Sequence, residues 1–228
     1  EFTSKIRSFV KKYNDLNKFL SGTEIWCEKG LCVDFASKKM RSRVETLSKS
    51  DLLIKAVGAN TNPAHIIDAT AGLGTDSFLL ASAYPDAKLD LIEENPLIHK
   101  LLQSGINNLS NNPSNNLSNN LKLHNKNSAD IIPKLEPADV IYLDPMFADN
   151  SFKGQVKKPM QWLHEICPPP SDENLNKLCS IALKYAKKRV IIKRAKSAPV
   201  IKIDNKIDPN HQIIGKSVRY DVYIVLEN

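Results

Sequence analysis

An α/β fold organised around a doubly wound, mostly parallel sheet is what this sequence of 228 residues predicts, and three observations carry the prediction. From His65 onward, short apolar runs alternate with helical patterns, as they do in chains of βα units. A glycine-bearing turn, Gly72-Leu73-Gly74, separates the first of these runs from the first of these helices. The last two apolar runs are joined by a loop too short for a right-handed helical crossover, so they are expected to be antiparallel neighbours with an antiparallel strand at one edge.

The elements follow in order. Residues 1–60 read as a small α+β extension, with a polar helix near Lys5 to Phe19 and a hairpin of Glu24–Cys27 and Leu31–Phe35 around Lys29-Gly30. A basic stretch, Lys38 to Arg43, leads into a helical period (Leu47, Leu52, Leu53, Ala56, Val57) that Gly58 stops. Residues 61–228 read as the main domain. Its strands are expected at Ile66–Ala69, Lys88–Glu93, Leu121–His124, Val140–Asp144, Arg189–Arg194 and Val218–Leu226. Its helices are expected at Ser77–Ala83, from Pro96 to about Gly105, at Ser128–Lys134 and at Asp172–Lys187. The Asn/Ser-rich tract 107–120 has too little apolar surface to offset its ordering entropy and reads as an expanded surface loop.

Composition narrows the function classes. With 42% hydrophobic and 25% charged residues, the chain is near the globular average, which excludes wholesale disorder, a collagen repeat and a long coiled coil. No apolar run approaches the ~18 residues that cross a bilayer, and Glu1 to Asn14 carry charges where a secretory signal needs an apolar stretch, so a cytoplasmic protein without a membrane partner is expected. A formal charge of +7 favours a polyanionic partner without identifying it. Cys27, Cys32, Cys167 and Cys179 lie too far apart for paired metal knuckles and read as reduced thiols. The five His are scattered, so no metal is expected.

Three motifs carry chemistry. In Asp68-Ala69-Thr70-Ala71-Gly72-Leu73-Gly74, the glycines let backbone approach a ligand at a helix N-terminus; a plain tight turn and a dinucleotide fingerprint are the alternatives, and the spacing of the latter fails at Ser77. Glu93-Glu94 ends the next strand, where a carboxylate can accept both ribose hydroxyls of a nucleoside. A glycine loop without a phosphate-binding Lys beside a ribose-binding acid suits a cofactor lacking pyrophosphate, S-adenosyl-L-methionine. Asp144-Pro145-Met146-Phe147 ends a strand at the same rim. There Asp144 and the backbone carbonyl near Pro145 can accept the hydrogens of a planar exocyclic amine while Phe147 stacks on the base; an ordinary strand end with Phe147 in the core is the alternative. Lys153, Lys157 and Lys158, interleaved with aromatics, are candidate RNA-binding cations or a solvated charge run, with Lys193, Arg194, Arg41 and Arg43 as further candidates.

Taken in order, 68–76, 142–147, Val156-Lys157-Lys158, Lys188 to Arg194 and Arg219-Tyr220-Asp221-Val222-Tyr223 resemble the RsmJ family, bacterial methyltransferases that act on N2 of a guanine in 16S ribosomal RNA. Val33-Asp34-Phe35 and Ala56-Val57-Gly58 also fit, so the resemblance runs from about Glu24 to the end. It implies a Rossmann-like fold, S-adenosyl-L-methionine as cofactor, and 16S rRNA or the 30S subunit as partner, with a monomer favoured. It implies cofactor contacts at Thr75, Asp76, Glu93, Glu94, Asn127, Ser128 and Asp144, beside Asp68, Gly72 and Gly74 of the turn. The chain departs from the family at Thr75 and Glu94, where Arg is usual, and at Asn127, where the family tends to have Ser. The alternatives are transfer to another amine, in adenine, DNA or a protein Gln, and a non-catalytic RNA-binding module. Direct in-line transfer is the expected mechanism, with neither Cys167 nor Cys179 as a nucleophile.

Overall fold

The computed structural model describes residues 33–110, 119–145 and 170–225. The expected helix near Lys5, most of the expected hairpin, Phe147, Lys153, Lys157, Lys158 and residues 111–118 of the Asn/Ser tract lie outside them. The described helices are α1 (Lys38–Glu45), α2 (Leu52–Val57), α3 (Thr75–Ala83), α4 (Pro96–Ser110), α5 (Ser128–Ile131), continued by a 3-10 turn at Ile132–Lys134, and α6 (Asp172–Tyr185). The strands are β1 (His65–Asp68), β2 (Lys88–Ile92), β3 (Leu121–His124), β4 (Ala138–Leu143), β5 (Ala186–Ala195), β6 (His211–Ile214) and β7 (Val218–Ile224).

The seven strands form one sheet in the order β3-β2-β1-β4-β5-β7-β6. The pairs among β1 to β5 are parallel, and β7 is antiparallel to both β5 and β6. The antiparallel strand expected at the edge is therefore second from it. The edge itself is β6, which sequence reasoning missed: His211-Gln212-Ile213-Ile214 is short, mixed in polarity and mostly exposed, and it lacks the apolar run that marks a buried strand.

Because side chains alternate across a strand, successive apolar residues feed two cores. Ile66, Leu89, Leu91, Val140, Tyr142, Ile191 and Val222 face one core, which α2, α3 and α4 complete with Leu53, Ile54, Phe78, Leu80 and Leu102. Ile67, Ile92, Ile141, Leu143, Val190, Ile192 and Tyr223 face the other, closed by Ile132 and by Leu175, Cys179 and Ala182 of α6. Val33 and Phe35 belong to the first core, so the chain ahead of β1 packs on the same sheet face as α3 and α4.

The ends of the helices follow from local chemistry. Asp51 caps α2 by accepting from the Leu53 amide, and Ser171 caps α6, whose first turn carries Asp172 and Glu173. Helix α4 runs on through Ser110, five residues past its expected end, which corrects the expected start of the surface loop at 107. Leu102, Ile106 and Leu109 keep a helical spacing and are buried, so their packing outweighs the poor helix propensity of Asn107 and Asn108.

Candidate active site

The carboxyl ends of β1, β2 and β4 meet at one rim. The turn after β1 carries two left-handed glycines, Gly72 with φ +55° and Gly74 with φ +75°. Their surroundings differ. A Cβ on Gly74 would lie 2.4 Å from Leu102 Cδ1 and 3.1 Å from Phe35 Cζ, so this glycine lets the turn pack on α4. A Cβ on Gly72 would meet nothing nearer than Thr70 O at 3.9 Å, which leaves an open face on the turn.

Hydrogen bonds tie the turn to the neighbouring strand ends. The Gly72 amide donates to Glu93 Oε2 at 2.9 Å, and the Asn95 amide to Glu93 Oε1 at 2.7 Å. The Asp144 amide donates to Thr70 Oγ1 at 2.6 Å, and Ser128 Oγ donates to the Ala69 carbonyl at 2.5 Å. Asn127 donates from Nδ2 to Glu94 Oε2 at 3.0 Å while its Oδ1 caps α5. Glu93, Glu94, Asn127, Ser128 and Asp144 thus surround the glycine turn.

Asp68 sits under the turn, not in front of it. Its Oδ1 accepts from the Thr70 amide at 3.1 Å and its Oδ2 from Ser77 Oγ at 2.5 Å. Burial pushes its carboxyl up to about 7, against the pull of those two donors. The expected direct cofactor contact at Asp68 is corrected to support of the turn, since the carboxylate is buried and bonded to Thr70 and Ser77. Thr75 opens α3 and is exposed. Burial also raises Glu93, partly offset by the Asn95 and Gly72 amides.

Beside the turn is a network that sequence reasoning did not assemble. Lys193 Nζ donates to Asp76 Oδ2 and to Asp144 Oδ2, each at 2.7 Å. Tyr142 Oη donates to the same Asp76 oxygen at 2.6 Å. Burial raises Asp144, and the Lys193 ammonium opposes that rise. Burial would lower Lys193, but the charges of Asp144 and Asp76 reverse this and hold it above its ordinary value. Burial and the two carboxylates push Tyr142 well up, and burial with Asp76 raises Tyr220.

This placement corrects the reading of Lys193 as an RNA-facing cation, because its ammonium is occupied between two carboxylates. Arg194 is corrected as well: it is buried and donates to the Pro199 carbonyl. Arg41 is exposed, whereas Arg43 pairs with Asp51 at 2.5 Å. A signal for Lys193 was available. In a parallel pair that matches Leu143 with Ile192, residue 144, the first past β4, lies beside residue 193 of β5. Pro145 is buried directly after Asp144. Among the described residues no group of His, Cys, Asp and Glu is arranged to hold a metal ion, and no helix is long and apolar enough to cross a membrane.

Comparison with known proteins gives a consistent result. The sequence pattern of a family described as putative SAM-dependent methyltransferases matches residues 18–225. A protein named ribosomal RNA small subunit methyltransferase J from Marinobacter nauticus is 37% identical over 196 residues, which cover 83% of this chain and 68% of that protein. Its namesake from Pseudoalteromonas atlantica is 35% identical over 203 residues, 85% of this chain and 76% of that one. The crystal structure of a SAM-dependent methyltransferase from Neisseria gonorrhoeae superposes with a TM-score of 0.66 at 30% identity, over 86% of this chain and 75% of that one.

Proposed function

This chain belongs to the family of SAM-dependent methyltransferases that includes the small-subunit ribosomal RNA methyltransferases J, and from that premise we propose that its target is the exocyclic N2 amine of a guanine in 16S rRNA. The chain is a SAM-dependent rRNA methyltransferase. The observation that carries the proposed site is the hydrogen-bonded closure of the glycine turn onto Glu93 and Asp144 at one rim.

The residues at the rim fit S-adenosylmethionine. Gly72 presents an open backbone face, Glu93 and Glu94 lie one strand away, and Asp76 and Asp144 set two carboxylates against the single ammonium of Lys193. That negative balance suits a cationic sulfonium. Glu93 and Glu94 would hold the ribose, with Gly72, Thr75, Asn127 and Ser128 around it. When bound, the cofactor supplies an electrophilic methyl group with its own leaving group, so no covalent enzyme intermediate is needed.

The protein's task is then orientation and exclusion of water. Asp144 and the carbonyl near Pro145 accept the two amine hydrogens and aim the nitrogen lone pair, and Phe147 stacks on the base. The amine proton passes to solvent after the nitrogen has become cationic. Lys153, Lys157, Lys158 and Arg41 would meet phosphates, no metal takes part, and a monomer suffices.

The test offers labelled S-adenosylmethionine with 30S subunits, naked rRNA, DNA and protein in separate reactions. Label confined to the ribosomal samples is the expected result. Label in DNA or protein alone would overturn the substrate assignment, and a protein that binds RNA but transfers no label would favour the non-catalytic alternative.

A further inference from the structure

We propose that Lys193 is a positioning residue for methyl transfer, whose ammonium fixes the Asp144 carboxylate in the geometry in which it accepts the target amine. The proposal rests on the reading of Asp144 given above, and it concerns a residue that the sequence placed on an RNA-facing rim.

The geometry assigns this role. Asp144 lies past the end of β4, where the ladder has finished, and the residue is held at two points: its backbone amide on Thr70 Oγ1 and its side-chain Oδ2 on Lys193 Nζ. Among the described residues none hydrogen-bonds Oδ1, and this is the oxygen the proposed role gives to an incoming amine. The second carboxylate, Asp76, anchors the ammonium from the other side and is itself fixed by Tyr142 Oη. Lys193 is thus clamped between helix α3 and strand β4 and cannot swing away without leaving one carboxylate unpaired. Its side chain is 22% exposed and that of Asp144 is 37% exposed, so the carboxylate is the more accessible of the pair.

Charge supports the same role. An ionised carboxylate is a stronger acceptor for an amine hydrogen than a protonated carboxyl, which turns one oxygen into a donor, and the surroundings of Asp144 work against ionisation. Burial raises its proton affinity and Asp76 adds to the rise, with Lys193 as the opposing charge. Asp68 of β1, Tyr142 of β4 and Tyr220 of β7 also face this group, and none of them brings a positive charge. Removing the ammonium would leave two carboxylates sharing a confined space, where one of them takes up a proton.

The experiment follows Asp144 itself. In protein labelled with 13C at aspartate carboxyl carbons, with the Asp144 signal assigned by Asp144→Asn, the titration midpoint of Asp144 is measured in the wild type, Lys193→Met, Lys193→Gln and Lys193→Arg. Gln keeps two hydrogen-bond donors without charge and serves if Met does not fold. The midpoint is expected to rise by about one to three pH units in the neutral variants, as befits loss of a close opposite charge, and to return toward the wild type in Arg. The acid limb of kcat should move by the same amount, with kcat below the midpoint reduced about tenfold per unit while the KM for S-adenosylmethionine changes less. An unmoved midpoint, or a neutral variant with wild-type kcat across the acid limb, would overturn the role of Lys193. A wild type that transfers no methyl to rRNA would overturn the functional reading instead and leave the titration result standing.

Discussion

At the residue scale the site depends on two side chains, Asp144 and Asp68, and on one absent one, at Gly74. Asp144→Ala removes the acceptor for the amine, and kcat should fall about 100-fold or more while the melting temperature changes little, since the side chain is partly exposed and hydrogen-bonds only Lys193 among the described residues. Retained turnover would discard its role. Gly74→Ala should destabilise the fold by about 1–3 kcal/mol in denaturant titrations. The added methyl would meet Leu102, which is fully buried, on a backbone with φ +75°. Asp68 gives a pH signature with a definite sign. Its folded-state value of about 7 lies above the ordinary aspartate value of 3.8, so the folded protein binds its proton more tightly than the unfolded chain does. Its contribution therefore makes stability decline as pH rises from about 4 to 7, and Asp68→Asn should flatten that part of the profile.

At the element scale, strand β2 carries a buried charge that holds three strands together. Asp90 is fully buried; its Oδ2 contacts His65 Nε2 at 2.8 Å and Lys88 Nζ at 3.2 Å, and its Oδ1 contacts His124 Nε2 at 2.6 Å. Burial opposes its charge, but His65, His124 and Lys88 together outweigh burial and hold it well below the usual carboxylate range. Its stabilising contribution is present above about pH 4 and is lost on further acidification. Asp90→Ala should cost about 3–5 kcal/mol and should speed hydrogen exchange first at the β3 amides, because among the described strands β3 pairs only with β2. Equal protection of β3 in the variant would contradict this. Elements with strong patterns were legible in the sequence: Leu121–His124 has the predicted bounds, and α2 stops at Gly58 as predicted. What escaped was decided by tertiary contact. The last turn of α4 forms because Leu109 is buried, and β6 forms because β7 offers it a partner. The cluster around Asp90 draws on His65 and His124, 59 positions apart, which only strand order brings to one carboxylate.

For the whole molecule, the decisive feature is how strand order brings distant segments to one rim. The turn after β1, the end of β2 and the end of β4 were each readable as motifs, and their convergence followed from placing them on adjacent parallel strands. The ion pair of Lys193 was not read, because local sequence shows a basic rim there and only the β4 to β5 register turns the side chain toward two acids. Since Val33, Phe35 and α2 share a core with α3, α4 and the sheet, we expect one cooperative transition in calorimetry, with no separate melting of residues 33–60. Two resolved transitions would argue that residues 33–60 behave as an independent unit. The most direct measurement is mass analysis of nucleosides from small-subunit rRNA after incubation with the protein and isotopically labelled S-adenosylmethionine, in parallel with Asp144→Ala. Labelled N2-methylguanosine from the wild type and none from the variant is the predicted result. Label on another nucleoside, or equal label from both proteins, would contradict it.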